Sequence, residues 1–147
     1  MADIGAGDVA ADTSVFIYFI EEQPQYLPIV EPLFVSAASG ERTLVTSAIT
    51  LFEVLVVPYR DSDMALASRY ESLLTRSRAL RLIELERPLL RAAAQLRARW
   101  NIRTPDALQV AAALLERCDT FVTNDRDLPA IPGLRVLQLS SYLRKRK

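Results

Sequence analysis

The chain has 147 residues, half of them hydrophobic, with 18 basic residues against 18 acidic ones; this suits one domain over 1–147 with a core at about 9–139, and no broad basic field for coating nucleic acid. It has no histidine, which excludes Ser-His-Asp hydrolysis, histidine acid–base chemistry and zincin sites. Lysine occurs only at Lys145 and Lys147, and Cys118 is the one cysteine, so a phosphate loop with an internal lysine, an internal disulfide and a zinc–cysteine cluster are excluded as well.

Residues 1–10 lack a basic n-region and carry Asp3 and Asp8, unlike a secretion signal, and no apolar run approaches the ~20 residues that span a bilayer. The protein is expected in the cytoplasm. In chain order, the apolar pattern predicts a strand at 9–11, helices at 14–20 and 26–39, a strand at 44–46, helices at 48–57 and 62–77, and a strand at 82–85. Helices follow at 87–99 and 104–117, then strands at 120–122 and 135–139, and a basic tail at 140–147. Alternation of this kind argues for an α/β domain with a mainly parallel sheet. Pro32 should kink the second helix or delay its start, and Gly40 can end it. Ser62 can cap the fourth helix and Pro88 suits the first turn of the fifth, whose Leu89, Ala93, Leu96 and Trp100 recur at helical spacing. Cys118 reads as a small buried side chain near a strand start.

Four acids stand out. Asp12 is the one charge in VAADTSVFIYFI, Glu53 in TLVTSAITLFEVLVVP and Asp106 in TPDALQVAAALL, while Asp125 follows the short apolar stretch ahead of Thr123 and Asn124. An ionised carboxylate taken out of water without a partner costs several kcal/mol or neutralises, so such residues are normally hydrogen-bonded, paired or bound to metal. In an open α/β sheet, ligands bind beyond the carboxyl ends of the strands, where these acids are expected. Convergence has to come from the fold, because the four are far apart in sequence.

Carboxylates meeting without histidine or cysteine make an oxygen-only site appropriate to Mg²⁺ or Mn²⁺, one ion or two. Such ions promote attack of water on a phosphodiester, chemistry that needs neither histidine nor lysine. Each acid also has an ordinary alternative. Asp12 could cap a helix near Ser14, Thr50 and Glu53 match a capping box, Asp106 could complement a helix dipole, and Asp125 could be a turn residue. Thr123 and Asn124 could orient water or a carboxylate, Thr13 and Ser14 could offer a hydroxyl or N–H, and Asp127 is either a peripheral ligand or a turn residue. Arg91, Gln95 and Arg99 share a helix face, with Arg103 following; the choices are a solvated face or RNA phosphate contact.

The segments DTSVFIY from Asp12, TSAITLFEV from Thr46, TPDALQVAAA from Thr104 and FVTND from Phe121 together resemble the PIN-domain family, especially the VapC-type toxins of bacterial toxin–antitoxin pairs. The resemblance implies a three-layer α/β/α fold with a five-stranded parallel sheet of order 3-2-1-4-5. It implies Asp12, Glu53, Asp106 and Asp125 as the catalytic and metal-holding acids, Thr123 as a supporting hydroxyl, and Mg²⁺ or Mn²⁺ as cofactor. Thr13, Ser14, Asn124 and Arg103 are the expected substrate contacts. RNA is the implied substrate, and a VapB-like antitoxin covering the site and a second copy of the chain are the implied partners. The rival expectations are a PIN-like scaffold that binds RNA or protein without cutting, and a phosphotransferase with Asp12 as nucleophile, which lacks the second Asp and the internal lysine it needs.

Overall fold

The computed structural model describes residues 4–146, with side chains as far as Leu143. The first three residues of the segment read as lacking a secretion signal, and the side chains of the basic run at 144–147, lie outside the described residues. Five short strands, β1 (Val9–Ala11), β2 (Leu44–Ser47), β3 (Leu80–Ile83), β4 (Thr120–Thr123) and β5 (Arg135–Gln138), pair in parallel in the order β3-β2-β1-β4-β5. The expected order 3-2-1-4-5 is thus the observed one. Between them run α1 (Thr13–Ile20), α2 (Leu27–Ala38), α3 (Ile49–Arg60), α4 (Met64–Arg76), α5 (Arg87–Trp100) and α6 (Thr104–Leu115), and a 3₁₀ helix at Leu139–Arg146 follows β5. No helix among the described residues is long and apolar enough to cross a membrane.

Strand side chains alternate between two cores, as the period of two requires. Val9 and Ala11 of β1, Leu44 of β2 and Val122 of β4 pack with α1, α2 and α4 around Phe16, Val30, Tyr70 and Leu74. Ala10, Val45 and Phe121 face the other way, onto Leu89, Ala93 and Leu96 of α5 and the alanine-rich face of α6. Full burial of a side chain such as Phe16 or Leu74 stabilises by about 1.5–3 kcal/mol. Both sheet faces are therefore covered, and the central strand β1 is apolar throughout.

Three local expectations need correction. β3 begins at Leu80 rather than 82, because Leu80 pairs with Leu44 and Leu82 with Thr46, whereas Leu85 is exposed. The polar residues Arg81 and Glu84 lie three apart in Leu80-Arg81-Leu82-Ile83-Glu84-Leu85, so the segment has no strict period of two to mark where the strand begins. Helix α3 continues past 57 through Pro58, which forfeits only the bond to the Val54 carbonyl; Asp61 N–H still reaches Val57 O at 2.9 Å. Ser62 does not cap α4. It adopts φ +56° and closes α3, with its N–H on Tyr59 O and Asp63 N–H on Pro58 O, while Asp63 caps α4 by accepting from Leu66 N–H at 3.1 Å. Gly40 ends α2 by the same pattern at φ +87°, and Pro88 lies in the first turn of α5, both as expected. Helix α2 starts at Leu27, ahead of Pro32, so the proline does not delay it.

Candidate active site

The order of connection reverses at β1, which has β2 on one side and β4 on the other. A crevice opens beyond the strand ends at such a point. Here it is a cavity of about 450 Å³ lined by Asp12, Thr13, Ser14, Tyr18, Glu53, Arg103, Pro105, Asp106, Gln109, Asn124 and Asp125. All four isolated acids reach it, and so do Thr13, Ser14, Asn124 and Arg103. Arg91, Gln95, Arg99 and Asp127 are exposed and do not line it.

Asp12 leaves the end of β1 and caps α1. Its Oδ1 accepts Ser14 N–H at 3.2 Å and the Ser14 hydroxyl at 2.5 Å, while Oδ2 accepts from the Thr123 hydroxyl at the end of β4. Burial raises its pKa above the ordinary carboxylate value, and the hydrogen bonds from Ser14, Thr123 and the backbone at Asn124 and Ser14 only partly offset this. The capping alternative is thus also true, since one carboxylate starts the helix and faces the crevice. Thr123 further accepts Asp125 N–H at 3.0 Å, which links the two acids through one hydroxyl.

Glu53 does not form the capping box that its spacing with Thr50 suggested. Helix α3 starts at Ile49 with Ala48 as its cap residue, so Thr50 already lies in the first turn, and Glu53 Oε1 instead accepts from the Thr13 hydroxyl at 2.5 Å. Asp106 lies in the first turn of α6, near the positive end of its dipole. Asp125 follows β4 and accepts Asp127 N–H at 3.0 Å, so its turn role is real as well.

Arg103 clamps the last two acids, with Nε 3.2 Å from Asp106 Oδ2 and Nη2 3.4 Å from Asp125 Oδ2. Burial, then the hydrogen bond and charge of Asp125, push Asp106 up to about 6 against the pull of Arg103. Burial acts to raise Asp125 also, but the hydrogen bonds from Asp106 and Asp127 N–H and the Arg103 charge outweigh it and hold Asp125 below the ordinary range. The two acids titrate as a pair that shares a proton.

Among the described residues, no three acids or cysteines approach closely enough to grip an ion in this arrangement. The donor set nonetheless fits a hard divalent cation. It is oxygen-only, and Asp106 and Asp125 share a single guanidinium, that of Arg103, so the cluster of acids is short of positive charge. Asp12, Asp106 and Asp125, with Glu53 beside them, are the residues that would hold it.

Sequence reasoning missed Gln109 and Tyr18. Gln109 is buried, and as the one polar side chain between Ala107 and Ala113 it gave the same signal as the isolated acids. Tyr18 stacks on Tyr26 with ring centroids 4.5 Å apart and accepts from Asn124 Nδ2 at 3.1 Å, so Asn124 is partly engaged in holding the wall.

Several solved structures share this fold. A Rickettsia felis VapBC2 complex bound to a promoter DNA fragment is 23% identical, covering 89% of this chain and 98% of that one with a TM-score of 0.63. A Klebsiella pneumoniae toxin–antitoxin complex is 21% identical over 89% and 97% at 0.63. The Mycobacterium tuberculosis toxin VapC20, described as cleaving the sarcin–ricin loop, is 17% identical over 81% and 91% at 0.66. At these identities the likeness establishes the fold. Among curated proteins none matches. The family profile of the PIN domain matches residues 9–134, most of the chain and all four acids, and the chain therefore belongs to the PIN-domain family.

Proposed function

We propose that the protein is a VapC-like toxin, a metal-dependent endoribonuclease acting in the cytoplasm as one domain over the whole chain. The observation that carries this reading is the convergence of Asp12, Glu53, Asp106 and Asp125 on one open crevice in a chain without histidine. Membership of the PIN-domain family and the likeness to toxin–antitoxin structures support it.

Mg²⁺ or Mn²⁺, when bound, supplies Lewis acidity to the phosphodiester and makes water a stronger nucleophile. The chain's own residues do the rest. Ser14 and Thr123 fix both oxygens of Asp12, so this carboxylate is oriented before any ligand arrives. Thr13 holds Glu53 toward the same space. Arg103 balances Asp106 and Asp125, and its exposed guanidinium can turn to an RNA phosphate when a cation takes over that charge. Thr13, Ser14 and Asn124 line the wall along which the strand would lie.

A small VapB-like antitoxin that covers the crevice is the partner in this reading, and a second copy of the chain is the other. Helix α3 leaves Phe52, Val56, Val57 and Tyr59 exposed next to Glu53, an apolar strip of the kind protein partners cover.

The test is incubation of the purified, antitoxin-free protein with total RNA and Mn²⁺, beside Asp12→Asn. The parent should cut and the variant, folded by circular dichroism, should lose at least about a hundredfold in rate. Equal cleavage by the two would remove Asp12 from the chemistry, and binding of RNA without cleavage by the parent would favour the scaffold reading.

A further inference from the structure

Backbone pairing around β1 is lopsided where it meets the crevice. On the β4 side it persists to Asp12, whose N–H donates to Val122 O at 3.1 Å. On the β2 side the ladder stops at the Ala10–Val45 pair, and side chains take over. Thr46 Oγ1 donates to Ala11 O at 2.8 Å, and Gln109 Oε1, reaching in from α6, accepts Ser47 N–H at 3.1 Å.

Proton accounting gives this network a direction. A backbone N–H can only donate, so Ser47 fixes the Gln109 amide with Oε1 toward β2 and Nε2 toward the crevice. From there Nε2 donates to Thr50 Oγ1 at 2.7 Å and approaches Thr13 Oγ1 at 3.5 Å. Thr46 gives its one proton to Ala11 O at 2.8 Å, with Gln109 Oε1 a second acceptor at 3.2 Å, and either way Thr50 donates to Thr46 across 2.8 Å. Thr13 gives its proton to Glu53 Oε1 at 2.5 Å. One amide thus joins the elements that carry three of the acids, namely the end of β1 before Asp12, α3 with Glu53, and α6 with Asp106 one turn earlier. Gln109, Thr46, Ser47 and Thr50 are all buried, and a buried network with every proton assigned holds its members to one geometry.

We propose that Gln109 is a positioning residue that sets Glu53, through Thr13 and Thr50, against the start of α1, by plugging the gap where β1 and β2 part. The inference rests on the nuclease reading above. Gln109→Leu keeps the bulk but leaves Ser47 N–H without its acceptor and Thr13 and Thr50 without their amide.

The test uses the whole chain with Gln109→Leu and Thr13→Val, each made alone and in a Glu53→Gln background. Thr13 is partly exposed and its substitution cuts the same chain of bonds at the Glu53 end, so it carries the test if Gln109→Leu does not fold. Two quantities are read, kcat and KM on RNA, and the Mn²⁺ concentration at the midpoint of the melting-temperature rise. Each single variant should lower kcat by about 10- to 100-fold with KM changed less than about threefold, and raise the Mn²⁺ midpoint about tenfold. In the Glu53→Gln background these losses should vanish, because the group being positioned has gone. Losses of equal size in both backgrounds, or a lower melting temperature with kcat and the Mn²⁺ midpoint unchanged, would overturn the proposal. A parent protein that neither cuts RNA nor responds to Mn²⁺ would overturn the nuclease reading instead, and this inference with it.

Discussion

Replacing Asp106 by Asn removes one of two carboxylates that share a proton beside Arg103. Asp106 titrates at about 6 in the folded protein against an ordinary 3.8, a rise of about 2 units, and at about 1.4 kcal/mol per unit the ceiling is about 3 kcal/mol. Solvent reaches the site and Asp125 shifts the opposite way, so screening and coupling reduce this to about 1 kcal/mol. Because the folded value is raised, the group's contribution to stability is complete below about pH 4 and is lost as pH rises through about 6. The parent should therefore weaken between pH 4 and 7, and Asp106→Asn, which cannot ionise, should not share that loss. In urea melts with EDTA, the variant should match the parent near pH 4 and exceed it by about 1 kcal/mol at pH 7.5, about 3 °C in melting temperature. Parallel pH curves for the two proteins, or a variant less stable than the parent at pH 7.5, would refute the argument.

Divalent ions should act on the same charge. At about 100 times its dissociation constant, Mn²⁺ or Mg²⁺ should add about 2.7 kcal/mol, or about 5–10 °C, and the absence of any shift at millimolar ion would count against the site. Cys118, pushed up to about 12 by burial and then by the charges of Asp8 and Glu116, should react with a disulfide reagent at pH 8 about a thousandfold more slowly than a free thiol until the protein unfolds; rapid native labelling would contradict this. Tyr70 is fully buried and its hydroxyl donates to Glu21, so Tyr70→Phe should cost about 1–2 kcal/mol in a urea melt, and an unchanged midpoint would show that the bond adds nothing.

The strands beside the crevice were legible because each is a short apolar run ending in a polar residue that turns into the site, as at Ala11–Asp12 and Thr123–Asn124. The edge strand was not, since Leu80 to Leu85 lacks a strict alternation and only pairing with β2 selects a register. Ser62 was the expected cap of α4, and the Schellman end of α3 displaced it, because that end needs a residue at positive φ where Ser62 lies. The acids were conspicuous through isolation, but their hydrogen-bond partners were not. Thr13 reaching Glu53, Thr123 reaching Asp12 and Arg103 reaching Asp125 join residues that only the completed sheet brings together. Gln109 had the same isolation as the acids and went unread because it carries no charge.

The central strand of the sheet is also the first to be synthesised. Until Thr120 to Thr123 joins its far side, β1 has one edge with no neighbour, and the segment bearing Asp125 has not yet followed. A ribosome stalled before that point, or a truncated product, would release a sticky half-sheet without a finished cutting centre. In the nuclease reading, cleavage therefore waits on β4, because the acid that follows it completes the set around the crevice.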